Sequence, residues 1–246
     1  MKASPEAQLR LLELADLDAE LGRLEHRRRG LPEHAELDRL EQRDAQLRDA
    51  IASLEAEQGD LRRAQTKAEA DVEQVRTRID RDRQRLDTGQ VSSPRDLENL
   101  QSEVASLTRR QSDLEEVVLD AMERRETAEA RRAELVTEQQ ALTVQAAELT
   151  AKRDAALEEI GEQAAKAEAS RTEVAADVPA DVLTLYDKLR AQQGVGAAML
   201  RRGSCEGCHL TLHTVDLNQI RATPADEVVR CEECRRILVR TAESGL

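Results

Sequence analysis

The stretch LQSEVASLTRRQSDLEEVVLDAMERRETAEARRAELVTEQQALTVQAAELTAKRDAALEEI, Leu100–Ile160, decides the fold. Leu100, Leu107, Leu114, Ala121, Ala128, Leu135, Leu142, Leu149 and Ala156 recur every seven residues. A second row lies between them: Val104, Gln111, Val118, Arg125, Arg132, Gln139, Ala146, Arg153 and Ile160. Apolar residues repeating every 3.5 positions on average keep one stripe of a helix turned toward a partner helix, which is a coiled-coil seam. About half of the second row is polar, so the seam is weaker than an ideal zipper and more demanding of one register. At about 1.5 Å per residue such a helix runs for roughly 100 Å.

Upstream, Ser4 and Pro5 start a helix, with a side-chain oxygen as N-cap and a proline in the first turn, where its missing N–H costs nothing. Leu14, Leu17, Leu21 and Leu24 give it one apolar stripe, and Gly30, Leu31 and Pro32 interrupt it. The stripe resumes as Leu40, Leu47, Ile51, Leu54 and Leu61, then continues as Val72, Val75, Ile79 and Leu86. Read on apolar residues alone, the second set is shifted by four positions, a stutter that locally relaxes the supercoil. Thr88 to Ser93 reads as a turn, and Ser93, Pro94 and Asp96 begin the next helix. Two helical runs of similar length joined by so short a turn favour an antiparallel hairpin within one chain over pairing between chains.

Composition supports this. In 246 residues there is no Phe, no Trp and one Tyr, while 35% are charged. A broad globular core draws on aromatic burial, so long helices fit better. The alternating Glu and Arg on the helix faces are read as solvation, as are the clusters Arg27–Arg29 and Arg124 with Arg125. There is no signal-like N-terminal run and nothing near the roughly 18 apolar residues that span a bilayer, so a cytoplasmic protein without membrane contact is expected.

The heptads fade near Thr172. A short helix with Leu183, Leu185, Tyr186 and Leu189 follows, then a turn at Gly194–Ala197 leading into an extended stretch. Tyr186 is read as packing where ribbon meets hairpin, rather than as a base-stacking platform. The expected domains are a hairpin over 1–175 with its tip near 88–94, a helical linker over 176–200 and a ribbon over 201–246. The fold class is mainly α, a long antiparallel coiled-coil hairpin with a small C-terminal β zinc ribbon.

All four cysteines lie in that last segment as two pairs, Cys205-Glu206-Gly207-Cys208 and Cys231-Glu232-Glu233-Cys234. Two residues between cysteines let both sulfurs of a turn reach one ion, and two such turns complete a tetrahedral S₄ shell. Four soft thiolates favour Zn²⁺, with iron as a minor alternative. A closed shell has no open position for water or substrate, so Cys205, Cys208, Cys231 and Cys234 are expected to hold one structural Zn²⁺ and do no catalysis. His209 and His213 are nearby imidazoles expected on the ribbon surface or behind the ligands. A thioredoxin-like redox pair is disfavoured by the lack of alternating strands and helices. No phosphate-cradling loop, nucleophile motif or hydrolase signature is present, so the protein is expected not to be an enzyme.

The net charge of −13 belongs to the hairpin, because the ribbon has as many acids as bases. Its arginines Arg201, Arg202, Arg221, Arg230, Arg235, Arg236 and Arg240 are candidate contacts to nucleic acid or a partner. Glu206, Asp216, Asp226, Glu227, Glu232, Glu233 and Glu243 dilute their field, and four thiolates on Zn²⁺ add about −2. The favoured function is a protein-binding adaptor or scaffold; the alternative is an RNA-binding regulator acting through those arginines. Protein partners are expected, RNA binding only weakly, and self-association is left open.

Several segments together resemble a family of bacterial proteins with a coiled-coil hairpin followed by a C4-type zinc ribbon. They are LDTGQVSSPRDL at Leu86–Leu97, LYDKL at Leu185–Leu189, CEGCHLTL at Cys205–Leu212 and CEECRRIL at Cys231–Leu238. The resemblance implies the four cysteines as zinc ligands and an adaptor role without catalysis. In flagellated or type III-secreting bacteria, members are linked to the nitrogen-type sigma factor, to secretion components and, in one branch, to messenger RNA. The chain departs from the family pattern at Arg235, where a glycine commonly follows the last cysteine; there it either accepts a left-handed backbone or changes the turn.

Overall fold

A computed structural model describes residues 1–91 and 93–246. Helix α1 spans Pro5–Arg29, α2 Pro32–Asp87, α3 Pro94–Ala176, α4 Ala180–Gln193 and α5 Thr214–Ala222. The strands are β1 Ala197–Arg201, β2 Ser204–Cys205, β3 Val229–Arg230 and β4 Ile237–Val239. Contacts divide the chain into two compact units, Met1–Ala35 with Thr150–Leu246, and Glu36–Leu149.

The unit Glu36–Leu149 is an antiparallel pair of helices. Arg43 pairs with Glu138 at 2.5 Å, Arg132 with Glu55 at 2.6 Å, and Arg78 with Glu103. Partner numbers fall on α3 as they rise on α2, as antiparallel register requires. Every residue of the two heptad rows expected on α3 is buried or half-buried. On α2 the seam runs in unbroken steps of three and four through Leu40, Asp44, Leu47, Ile51, Leu54, Gln58, Leu61, Gln65, Ala68, Val72, Val75, Ile79, Asp82 and Leu86. There is no stutter. The apparent phase shift arose because Gln58, Gln65, Ala68 and Asp82 hold seam positions that an apolar count skips. Polar residues are tolerated there because the facing row is polar too: Arg125 donates to Gln65 Oε1 at 3.0 Å and Gln139 to Asp44 Oδ1 at 2.9 Å.

At the tip, Gly89 takes φ 65°, and its amide and that of Gln90 reach back to the carbonyls of Leu86 and Arg85. Ser93 Oγ accepts from the amide of Asp96 at 3.3 Å. Ser92, part of the expected turn, lies outside the described residues.

In the other unit α1 begins as its sequence dictates, with Ser4 Oγ accepting from Ala7 N at 3.2 Å and Pro5 in the first turn. It ends at Gly30, whose amide closes on His26 O, and Pro32 starts α2. The sheet has the order β2-β1-β4-β3, with β1 and β4 parallel and the other pairs antiparallel. Its central strand β1 comes mostly from residues that the sequence-based boundary puts in the linker. Side chains alternate across the sheet. Ala197, Ile237 and Val239 join a core with Leu11, Leu14, Val182 and Tyr186 of the helices. Ala198, Leu200 and Leu238 join a second core with Cys205, Cys231, Leu212 and Ile220. Ile237, Leu238 and Val239 are all fully buried, the continuous apolar run expected of a strand covered on both faces. Tyr186 is packed as expected and fully buried.

Two features have no local signal in the sequence. Met1–Ala3 runs beside the chain at 226–228, with Ala3 N donating to Asp226 O at 2.8 Å and Val228 N to Met1 O at 3.0 Å. Between the cysteine pairs, α5 packs Ile220 against the second core.

Candidate metal centre

Each cysteine pair forms the same turn. Cys205 N donates to Leu210 O at 3.0 Å and His209 N to Cys205 O at 2.7 Å; Cys231 N donates to Arg236 O at 3.0 Å and Arg235 N to Cys231 O at 3.0 Å. The residue after the second cysteine is left-handed in both turns, His209 at φ 60° and Arg235 at φ 64°. Arg235 therefore keeps the turn and accepts the strain that a glycine would avoid.

These turns bring all four sulfurs within 4.8 Å of one another. Cys205 Sγ lies 3.8 Å from Cys234 Sγ and Cys208 Sγ 3.9 Å from Cys231 Sγ. Four ligands at about 2.3 Å on a tetrahedron stand roughly 3.8 Å apart, so the sulfurs fit a tetrahedral ion such as zinc. Burial pushes the Cys205 thiol up to about 12, and burial also raises Cys231. At Cys234 burial acts in the same direction, but hydrogen bonds from the Arg236 backbone and side chain outweigh it and lower the thiol. A bound cation would favour the thiolate form at all four positions. His209 and His213 are exposed and belong to no candidate metal cluster among the described residues.

Most of the seven ribbon arginines are engaged within the fold. Arg240 donates to the carbonyls of Ile220, Thr223, Pro224, Ala225 and Glu227, tying α5 and the loop after it to the end of β4. Arg236 donates to Gln193, Val195 and Gly207 carbonyls, binding the first cysteine turn to the end of α4. Arg230 donates to Arg235 O, Arg201 pairs with Glu243 at 2.9 Å, and Arg235 pairs with Glu232 at 3.1 Å. Arg221 reaches only Asn218, at 3.3 Å, and Arg202 makes no side-chain bond among the described residues.

Residues 14–194 match the CT398-like coiled coil hairpin domain, and residues 204–238 match the C4-type zinc ribbon domain. The chain belongs to the CT398-like family. A solved structure from Mycobacterium smegmatis is 34% identical, with TM-score 0.85 over 98% of this chain and 100% of that one. CT398 from Chlamydia trachomatis shares the fold at 18% identity, with TM-score 0.76 over 96% of this chain and 98% of its own. An uncharacterized Mycobacterium tuberculosis protein, Rv2229c, is 39% identical over 70 residues, a match that spans 28% of this chain and 29% of that protein.

In this CT398-like chain the helices beside the ribbon carry a second polar centre that the apolar stripe of α1 conceals. Asp18, on that stripe between Leu14 and Leu21, is fully buried. Its Oδ1 accepts from Arg171 Nε at 2.8 Å and pairs with Arg190 Nε at 2.7 Å, while its Oδ2 accepts the Tyr186 hydroxyl at 2.6 Å. Arg171 also pairs with Asp187 at 2.6 Å. Burial, and then the Asp18 carboxylate, hold the Tyr186 phenol far above its ordinary value. One carboxylate thus locks α1, α3 and α4 together. The only hint of it in the sequence is an acid interrupting an apolar stripe, with the chain's sole aromatic elsewhere in need of a partner.

Proposed function

We propose that this protein is a non-enzymatic adaptor, in which one structural Zn²⁺ on Cys205, Cys208, Cys231 and Cys234 holds a compact ribbon against the helices and the partners are proteins. The observation that carries this is the fate of the ribbon arginines. Arg236 and Arg240 are spent on carbonyls inside the fold, and Arg201 and Arg235 on carboxylates. Phosphate would have to compete with those partners, and the equal number of ribbon acids would dilute the field drawing it in. The closed sulfur shell supports a structural metal, since it has no position for substrate. Among the described residues, no helix is long and apolar enough to cross a membrane.

Two measurements test the proposal. Crosslinking in native cells, with and without nuclease, is expected to recover nuclease-resistant protein partners; RNA whose recovery depends on Arg202 and Arg221 would overturn the adaptor reading. Chelation, or Cys205→Ser, is expected to release one zinc and unfold the cysteine turns. The helical signal at risk is then at most the nine residues of α5 and the fourteen of α4. Collapse of most of the far-ultraviolet helical signal would refute the structural account.

A further inference from the structure

Beside and beyond the C-terminal end of α4 the groove between α1 and α3 continues, with no third helix over its far part among the described residues. Helix α4 is held there by Asp18, Arg171 and Arg190, and ends where Gly194 turns the chain away at φ 83°. The groove that follows has a volume of about 660 Å³. Leu21, Leu24, Leu157 and Ile160 form its apolar lining, with Leu24 and Ile160 buried at the floor and Leu21 and Leu157 half-buried. It runs beside α3 from Leu157 to Glu168, about 16 Å or three helical turns.

Gly22 and Gly161 sit in its walls, in the interiors of α1 and α3. Glycine is a poor helix former, and a Cβ at either position would meet nothing within 4 Å. Packing within this chain gives no reason for either; their effect is to keep the groove wide. The charges around it are uneven. Glu25, Glu168 and Asp187 line it together with the negative end of the α4 dipole, but Glu25 is paired with Arg29 at 2.6 Å and Asp187 with Arg171 at 2.6 Å. Against them stand Arg28 and Arg190, and Arg190 is already paired to Asp18 at 2.7 Å. Glu168 has no side-chain partner among the described residues. Glu168 and the negative end of the α4 dipole are therefore the negative groups left without a counter-charge, and together they favour a cation.

We propose that this groove binds an amphipathic helix of a partner protein, which lays apolar side chains on Leu21, Leu24, Leu157 and Ile160 and sets a lysine or arginine near Glu168 and the end of α4. The occupant takes the place of a third helix continuing the line of α4, with anchors spaced three and four residues apart. This rests on the adaptor reading and gives it a site.

The test uses the full metal-loaded chain and two fluorescein-labelled synthetic peptides of fifteen residues. They share one Leu/Ala face at helical spacing; one is flanked by lysines and the other by glutamates. In anisotropy titrations the lysine-flanked peptide should bind saturably and at least tenfold more tightly than its acidic twin. Gly161→Leu and Gly22→Leu, which fill open space, should weaken it at least tenfold with unchanged far-ultraviolet dichroism and Tyr186 fluorescence. Glu168→Gln should narrow the gap between the peptides. Equal binding of the two peptides, binding indifferent to Gly161→Leu, or a groove occupied by a second copy of this chain in sedimentation would overturn the proposal. If the peptides fail while nuclease-resistant protein partners are still recovered from cells, the groove is refuted and the adaptor reading stands. If those partners are absent as well, both fail.

Discussion

Replacing Asp18 with Asn removes the charge at the junction of α1, α3 and α4 and nearly keeps the shape. The carboxylate is 0% exposed, Arg171 18% and Arg190 39%. A hydrogen bond to a charged group contributes about 1.5–3 kcal/mol, and breaking a fully buried ion pair costs about 3–5 kcal/mol. Here Arg171 keeps its pair with Asp187 and Arg190 stays partly solvated, so both shares must be discounted. The Asn oxygen can still accept one of the three donors. The expected loss is about 2–4 kcal/mol, or a shift of about 1–2 M in the urea midpoint. The assay is specific because Tyr186 is the only aromatic residue, so intrinsic fluorescence reports this junction alone. Tyr186→Phe, followed by far-ultraviolet dichroism, should cost about 1–3 kcal/mol, since Asp18 Oδ2 accepts from nothing else among the described residues. The double variant should show coupling of more than about 1 kcal/mol. A midpoint shift below about 0.3 M for Asp18→Asn, or strict additivity, would refute the claim that this carboxylate locks the three helices.

The raised Tyr186 phenol gives a pH dependence of known sign: the native state keeps a proton that the unfolded chain loses above the ordinary value near 10, so stability is whole below that pH and falls above it. Urea midpoints by dichroism from pH 8 upward should decline beyond about 10, and Tyr186→Phe should flatten that decline. In Gly196→Ala the new Cβ would stand 2.4 Å from Tyr186 O and 2.7 Å from Tyr186 Cδ2, so the β1 entry must shift. A loss of about 1–3 kcal/mol with altered tyrosine fluorescence is expected, and an unchanged melt would contradict the close approach. Arg235→Gly should relieve about 1–2 kcal/mol of left-handed strain at the exposed cost of the Glu232 pair. Competition with a chelator should show tighter zinc retention, and weaker retention would mean that Arg235 holds the turn in another way.

How much of this was legible depends on how local each cause is. Both heptad rows of α3 could be read from Leu100 to Ile160 because the seam repeats every seven residues, and burial follows them position by position. The α2 seam was misread where it is polar. Gln58, Gln65 and Asp82 look like surface residues until α3 supplies their surroundings, as Arg125 does for Gln65. The cysteine turns were legible because four soft ligands at two-residue spacing admit few other arrangements. The pairing of Met1–Ala3 with residues 226–228 was not, because nothing near residue 2 announces a partner more than two hundred positions away. Separation in sequence also hid Asp18, whose partners Arg171 on α3 and Tyr186 on α4 lie 153 and 168 positions on.

The alternation along β1 and β4 changes what the metal can be asked to do. Ala198, Leu200 and Leu238 face the cysteines, whereas Ala197, Ile237 and Val239 face the helices across the same short strands. A ribbon that depended on zinc alone would lose its sheet with the ion. Here the helix-facing half of the strands rests on Leu11, Leu14, Val182 and Tyr186, a core that owes nothing to sulfur. Arg236 then ties the first cysteine turn to the end of α4, so the groove beyond α4 and the metal site share one support. Metal loss should therefore loosen the cysteine turns and α5 first and disturb the helix junction less. Tyr186 fluorescence can tell these events apart: a change in step with zinc release would mean that the two faces of the sheet fold as one, and a lag would mean that the helix-facing core stands by itself.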